Sequence, residues 1–439
     1  MNFKRRRICA RIQRIFVVLF VLYFCYFTLF KCTWTPFPVE LAQNKTWYPV
    51  GRAKTAYVFS AYLDESRHVV VVIGAMTKDP ITYLCQLWSA DAGGNSMDMD
   101  RSYPRAISPP EHHDKKYAMT LFECPFRSAR FPQYVSLITN TCDTPLNLIR
   151  IDETKVQSNY RRKFTVCLSP LNFMYSRAYE LIEWIELNRI LGAEKFVVYN
   201  YSSASNVKEV LDYYSKRGFV EVIQWPLPMA VDTYPATEVR AEIHYFGQTA
   251  ALHDCLYRNK RESEFIVNID LDEFIIPHGN ETTNWKEIVR KVDTNNAKAF
   301  VFKNTHFRRD LNHKHSKHSW MNDYQETKRF KLTTLQTFQR EVKVYIKGVK
   351  SKYMVRTDGL LYLMIHFVPE LPLSQDITIS EEIALLHHYK NFEHDPEVST
   401  DSVPDYTVLD KYGDKLISNV ERVWDELSRV DMNSLPIKT

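Results

Sequence analysis

Hydrophobic positions along this chain fall into three regimes. The first is one run, Ile15 to Phe30, sixteen mostly apolar residues without a charge. As a helix it would be about 24 Å long, enough for a thin bilayer, and it predicts a transmembrane anchor over 15–31. The second regime, residues 55–155, holds short runs at Ala56–Tyr62, Val69–Ile73, Tyr83–Trp88, Met119–Glu123 and Tyr134–Ile138, parted by polar turns. That spacing predicts a small β-rich module. The third begins near residue 161, where short strand-like runs (Phe164–Leu168, Phe196–Tyr199, Phe219–Ile223, Phe265 to Asp270) alternate with helical patterns (Tyr179–Leu191, Asn206–Lys216, Glu238–Asn259). Gly192 reads as the stop of the first helix, and Asn206 to Glu209 as a capping box opening the second. A helix at Trp285–Val292 and a strand at Ala299–Phe302 continue the alternation. The pattern predicts an α/β domain with a mostly parallel sheet over 161–435. Further strands are expected at Val342–Ile346, Tyr353–Arg356, Leu360–Phe367 and Leu385–Tyr389, with a closing helix at Asp414–Val430. Residues 1–14 read as a tail and the proline-containing 32–54 as a stem.

The chemistry concentrates after the strand at Phe265–Ile269, where Asp270, Leu271, Asp272 and Glu273 follow. If the extended geometry persists, Asp270 and Asp272 share a face about 7 Å apart. They would lie beyond the carboxyl end of a strand, where open α/β sheets bind ligands. Two hard oxygen ligands there suit Mg²⁺ or Mn²⁺, ions that bridge to substrate phosphates. Glu273 would point away and pair with a basic neighbour. His388 or His387 is the expected third ligand, with His366 behind them. Lys352 and Arg356 are expected to meet a diphosphate. Glu381 and Glu382, just before the histidine pair, are candidates for a general base, Glu382 foremost. His313, His315 and His318 sit in a basic loop and read as solvated.

Charge adds a topology. The seven basic residues of 1–31 face no acid, and removing them from the total of 57 leaves 50 basic against 52 acidic residues. The body therefore carries no electrostatic footprint for nucleic acid. The positive flank before residue 15 predicts a single-pass type II orientation. Six cysteines then fall on the oxidising side. Cys85 with Cys124 and Cys167 with Cys255 are expected disulfides, while Cys32 either meets Cys142 or bridges two chains in a homodimer. Glycosylation sequons start at Asn44, Asn200 and Asn280. A lumenal α/β domain with a carboxylate pair at a strand end points to transfer from a nucleotide sugar. A glycoside hydrolase, a tethered lectin-like protein and a metal phosphoesterase are the rivals.

Glu183 to Gly192 followed by Glu194 to Tyr199, then Gly247 to Arg258, then Ile269 to Phe274 with Pro277, resemble glycosyltransferase family 92, as do Phe59 to Asp64 and His388-Tyr389. The resemblance implies a GT-A nucleotide-sugar-binding fold, a Golgi membrane location, and transfer of galactose from UDP-galactose to a glycan with inversion and Mn²⁺. It makes Asp270 and Asp272 the metal motif. Gln248, Asp254 and Arg258 match motif positions and join Lys352 and Arg356 as candidates facing the donor, although Arg258 also reads as a brace of its helix. The chain departs from the family where Tyr199-Asn200-Tyr201 stands.

Overall fold

The computed structural model describes residues 14–23, 37–38, 46–91, 96–111, 113–152, 159–234, 236–293, 296–309, 325–369, 375–391 and 401–433. Two compact units divide the chain: Met1–Ile107 with Thr120–Glu153, and Ser108–Met119 with Thr154–Thr439.

The first unit carries nine strands: β1 (Tyr48–Val50), β2 (Ala56–Asp64), β3 (Val69–Thr77), β4 (Leu84–Ala90), β5 (Met97–Ser102), β6 (Arg105–Ile107), β7 (Tyr117–Pro125), β8 (Tyr134–Ile138) and β9 (Ile149–Asp152). They form one sheet in the order β5-β4-β8-β9-β2-β3-β7-β6, with β1 on β2. Its core gathers Val58, Val72, Leu87, Phe122 and Leu137 around the Cys85–Cys124 disulfide. Residues 14–23 are helical, and the rest of the expected anchor lies outside the described residues. Among the described residues no helix is long and apolar enough to cross a membrane.

The second unit is mixed α/β. Its main sheet takes β10 (Arg162–Leu171), β11 (Lys195–Asn200), β12 (Val220–Gln224) and β13 (Ser263–Asn268), all parallel, and continues through β15 (Ala299–Phe302), β18 (Lys352–Arg356) and β19 (Asp376–Thr378) in the order β12-β11-β10-β13-β18-β15-β19. β18 runs antiparallel to β13. A second sheet holds β14 (Glu273–Pro277), β16 (Asn304–Arg308), β17 (Gln339–Glu341), β20 (Ala384–Lys390) and β21 (Ser402–Pro404). The crossover helices are α1 (Ala178–Leu191), α2 (Ser205–Lys216) and α3 (Gln248–Asn259), followed by α4 (Trp285–Val292), short turns α5 (Gln325–Arg329) and α6 (Thr333–Gln336), and α7 (Thr407–Glu426). α1 is buried on nearly every side, packed against α2 and α7, which is why its sequence is apolar around most of the helix. Phe164, Phe265 and Phe300, on β10, β13 and β15, build a continuous aromatic core under the sheet, with Phe265 against both of the others.

Several expectations change. The helix expected from Glu238 begins only at Gln248, because Tyr245, Phe246 and Gly247 all take positive φ and break the helical path. Asn206 makes no capping box. Its side chain instead donates to the carbonyls of Ser176, Asp431 and Asn433. Val342–Ile346 is not a strand; the nearby strand is Gln339–Glu341. Nor is Leu360–Phe367, whose backbone is satisfied by side chains in place of a ladder. Tyr257 donates to the Leu361 carbonyl, Tyr353 to Met364 and Asn268 to Ile365, while the Leu363 and Ile365 amides donate to His253 and Glu111.

Candidate functional site

β13 ends at Asn268, and the chain turns through Asp270–Asp272 before β14 starts at Glu273. The two aspartates therefore sit on a turn and not on an extended strand. That turn is pinned by its backbone: Trp184 Nε1 donates to the Asp270 carbonyl at 2.9 Å, and the Glu273 amide donates to the same oxygen at 3.1 Å. Glu273 curls back, its Oε2 accepting the Asp270 amide at 3.0 Å. This corrects the expectation that it points away. Its pairing with a base is present, but the base is Lys352 at 3.4 Å, which also lies 2.7 Å from Asp270 Oδ2.

The antiparallel register explains why Lys352 is here and Arg356 is not. β18 pairs Tyr353 with Asn268 and Arg356 with Phe265, so Lys352 falls at the carboxyl edge of β13 and Arg356 at the opposite edge. Arg356 binds Glu264 and Asp293 there, away from the aspartates. Lys352 is fully buried, and its flanking carboxylates raise its affinity for a proton despite that burial. Burial would raise Asp270, but Lys352 and a Ser169 hydroxyl hold it below the ordinary carboxylate range. Burial wins at Glu273 and pushes it up. Gln248, at the first position of α3, donates to Ser169 Oγ at 2.6 Å and so supports the shell around Asp270.

Strand alternation on β20 sends His388 and His387 to opposite faces. The register opposes Glu273 and His388, which brings His388 Nε2 to 3.2 Å from Asp272 Oδ2. Burial lowers the His388 pKa, but its bond to Asp272 outweighs this and raises it. His387 faces away, its Nε2 2.7 Å from that of His278 and beside Asp405. His366 bonds the Ser351 carbonyl and lines a cleft that also reaches Asp270.

Other expected residues lie elsewhere. Asp254 is buried under Tyr199, whose hydroxyl donates to it at 2.6 Å, and Arg258 joins Asp254 to Glu221; these two brace α3 against the sheet. Glu381 and Glu382 are exposed before the far end of β20, where Ala384 pairs with Pro277. The four strand steps from Ala384 to His388 span about 13 Å, and Glu382 sits in the turn beyond Ala384, too far to act as base. Glu381 pairs with Lys303. Asn200 is buried, out of reach of a glycan in the folded chain, whereas Asn280 is exposed. Asn44, Cys32 and the His313–His318 loop lie outside the described residues. The Cys167–Cys255 disulfide ties β10 to α3.

Two clefts meet at Asp270. One, of about 350 Å³, is lined by Ser169, Arg177, Asp270, Asp272, Arg309 and Lys390. Arg177 and Arg309 both pair with Glu180 there. The other, of about 560 Å³, is lined by Glu111, His244, Tyr245, Gln248, Asp270 and His366. Sequence reading missed Ser169, Arg177, Arg309 and Glu111. Ser169 lies near the carboxyl end of β10, and the rule that singled out Asp270 beyond the end of β13 would have found it. The other three carry no local signal.

Among solved structures the chain is similar to Mycobacterium tuberculosis glucosyl-3-phosphoglycerate synthase, crystallised with Mn²⁺, UDP and glucosyl-3-phosphoglycerate, at 13% identity and a TM-score of 0.26 over 61% of this chain and 80% of that one. By sequence it is 26% identical over 239 residues to a Caenorhabditis elegans protein named beta-1,4-galactosyltransferase galt-1, covering 51% of each. It is 29% identical over 124 residues to the C. elegans glycosyltransferase family 92 protein F13G3.3, covering 28% of this chain and 24% of that protein. The chain thus spans about half the length of the first relative and about a quarter of the second. The family model described as glycosyltransferase family 92 matches residues 162–429, a span that contains the Asp270–Asp272 turn, Lys352 and His388, and the chain belongs to that family.

Proposed function

We propose that this chain transfers galactose from UDP-galactose to a glycan acceptor, with inversion at the anomeric carbon and with Mn²⁺ or Mg²⁺ as cofactor. The observation that carries the reading is the convergence of Asp270, Asp272 and His388 beyond the carboxyl ends of parallel strands, beside a cleft walled by Arg177, Arg309 and Lys390. Beyond those ends an open α/β sheet binds its ligand. The relative named as a beta-1,4-galactosyltransferase supports the choice of sugar.

The residues fit a divalent ion. Neighbouring ligands on an octahedral ion with bonds of about 2.1 Å lie about 3 Å apart, and His388 Nε2 and Asp272 Oδ2 are 3.2 Å apart. The hard carboxylate oxygens at this site suit Mn²⁺ or Mg²⁺. Asp272 and His388 would hold the ion, with Asp270 behind them. A bound ion would supply Lewis-acid stabilisation of the departing diphosphate. Lys352 keeps Asp270 ionised, and Arg177, Arg309 and Lys390 offer the diphosphate its charge-assisted contacts.

The same reading takes residues 15–31 as a membrane anchor, with the catalytic unit in the Golgi lumen. Two disulfides are consistent with an oxidising compartment. The test incubates the purified full chain with UDP-galactose and a mixed glycan pool, with Mn²⁺ or EDTA, beside Asp272→Ala. Metal-dependent gain of one hexose, lost in the variant, is expected. A folded chain with neither turnover nor metal-dependent UDP binding overturns the reading in favour of a glycan-binding protein without catalysis.

A further inference from the structure

An inverting transfer needs a base on the side of the anomeric carbon opposite the leaving diphosphate, and the expected residue, Glu382, lies in the turn before β20, at the end away from His388. The second cleft at Asp270 offers an alternative. The segment Ser108–Met119 groups with the second unit although the residues on either side group with the first. It sets Glu111 into the wall of the 560 Å³ cleft, opposite in character to the arginine-lined one. Glu111 Oε2 accepts the Ile365 amide at 2.8 Å, which fixes the carboxylate, and no other hydrogen bond reaches it among the described residues. The segment that supplies this amide, Leu360–Phe367, is held out of the sheet by side chains of α3, β18 and β13.

The competing groups of this cleft are committed. Asp270 is bound by Lys352 and Ser169. His244 is stacked on His113 with centroids 3.7 Å apart, and burial brings its pKa down to about 4, too acidic for a useful base. His366 has one ring nitrogen on the Ser351 carbonyl, and burial lowers its pKa. Asp114 is exposed at the rim. Burial raises the Glu111 carboxyl above its ordinary value, which improves it as a proton acceptor. Tyr245 lines both clefts and presents a part-exposed ring, a surface suited to the apolar face of a sugar.

Resting on the transferase reading above, we propose that Glu111 is the catalytic base and that the acceptor glycan occupies the cleft between Glu111, Tyr245 and His366. The acceptor hydroxyl oxygen bonds to the anomeric carbon of the donor sugar as the bond from that carbon to the diphosphate oxygen breaks. The bonding pair leaves with UDP, and the hydroxyl proton passes to the Glu111 carboxylate. The product is a glycoside of inverted configuration, a UDP anion and a protonated Glu111 that returns its proton to solvent.

The test compares the full chain with Glu111→Gln and Glu111→Asp in Mn²⁺, reading kcat for transfer and, separately, UDP affinity by calorimetry. Glutamine keeps the shape and can still accept the Ile365 amide. Glu111→Gln should lose about 100-fold or more in kcat, with Glu111→Asp in between and UDP affinity within about twofold of the parent. Transfer by Glu111→Gln within about threefold of an active parent overturns the proposal. So does loss of UDP binding in that variant, which would make Glu111 a support of the fold. A parent that neither transfers nor binds UDP is a different failure, that of the transferase reading itself.

Discussion

Lys352 is buried, with its ammonium 2.7 Å from Asp270 and 3.4 Å from Glu273. Removing one partner of such a group leaves an uncompensated charge, which costs about 3–5 kcal/mol when the site is dry. Asp270 keeps some exposure, so Lys352→Met should lose about 3 kcal/mol in urea unfolding, at the low end of that range. Adding Glu273→Gln should restore part of the loss, because Glu273 is the deeper carboxylate. Glu183 makes a second residue-scale case. It is buried on α1, takes hydrogen bonds from the Thr333 and Thr334 amides and the Thr334 hydroxyl, and burial still pushes its pKa from 4.5 up to about 7. Between those values the folded chain holds a proton that the unfolded chain has released. Stability from this group is therefore full below about pH 4.5 and is lost as pH rises through about 7, by no more than about 3 kcal/mol. Thermal unfolding of Glu183→Gln across pH 5–8 should show a flatter profile than the parent. An equal slope in both would remove Glu183 from the account.

At the scale of elements, β18 shows what could and could not be read from the sequence. Strand alternation put Lys352 and Arg356 on one face, and that much was legible. Which end of the strand meets the aspartates depends on its antiparallel pairing with β13, a long-range choice that no local pattern encodes. The consequence is that Arg356→Ala should cost about 1–3 kcal/mol of stability through its ties to Glu264 and Asp293 while leaving KM for the donor unchanged. A raised KM would bring Arg356 back to the donor. The Asp270–Asp272 pair and His388 were legible because each adjoins an apolar strand whose end could be recognised. Glu111 was not, since it reaches its cleft from a segment more than 150 residues before Asp270 in sequence, between two strands of the other unit. Leu360–Phe367 misled for a related reason. Its apolar run fits a strand, but side chains of β13, β18 and α3 hold its backbone before any neighbouring strand can.

On the scale of the whole molecule, the Cys85–Cys124 and Cys167–Cys255 disulfides lie one in each unit and close chain separations of 39 and 88 residues. The longer one matters more for the site. Cys167 on β10 and Cys255 on α3 are both buried, and the two elements they join supply Ser169 and Gln248, the hydrogen-bonded pair behind Asp270. A cross-link restricts the unfolded chain by an amount that grows with the logarithm of the loop, about 4–5 kcal/mol for a loop of this length. Cys167→Ala with Cys255→Ala should therefore lower stability by about 2–5 kcal/mol in denaturant titration, with packing and residual structure setting where in that range it falls. Donor binding separates an entropic role from a structural one. If the disulfide acts through the unfolded state, the folded double variant should bind UDP and metal with the affinity of the parent. If it also holds α3 in register on β10, the Gln248–Ser169 contact loosens, Asp270 loses part of its support, and UDP affinity falls together with stability. Tight packing of α3 against β10, with Ala250, Ala251 and Leu256 all buried, favours the first outcome.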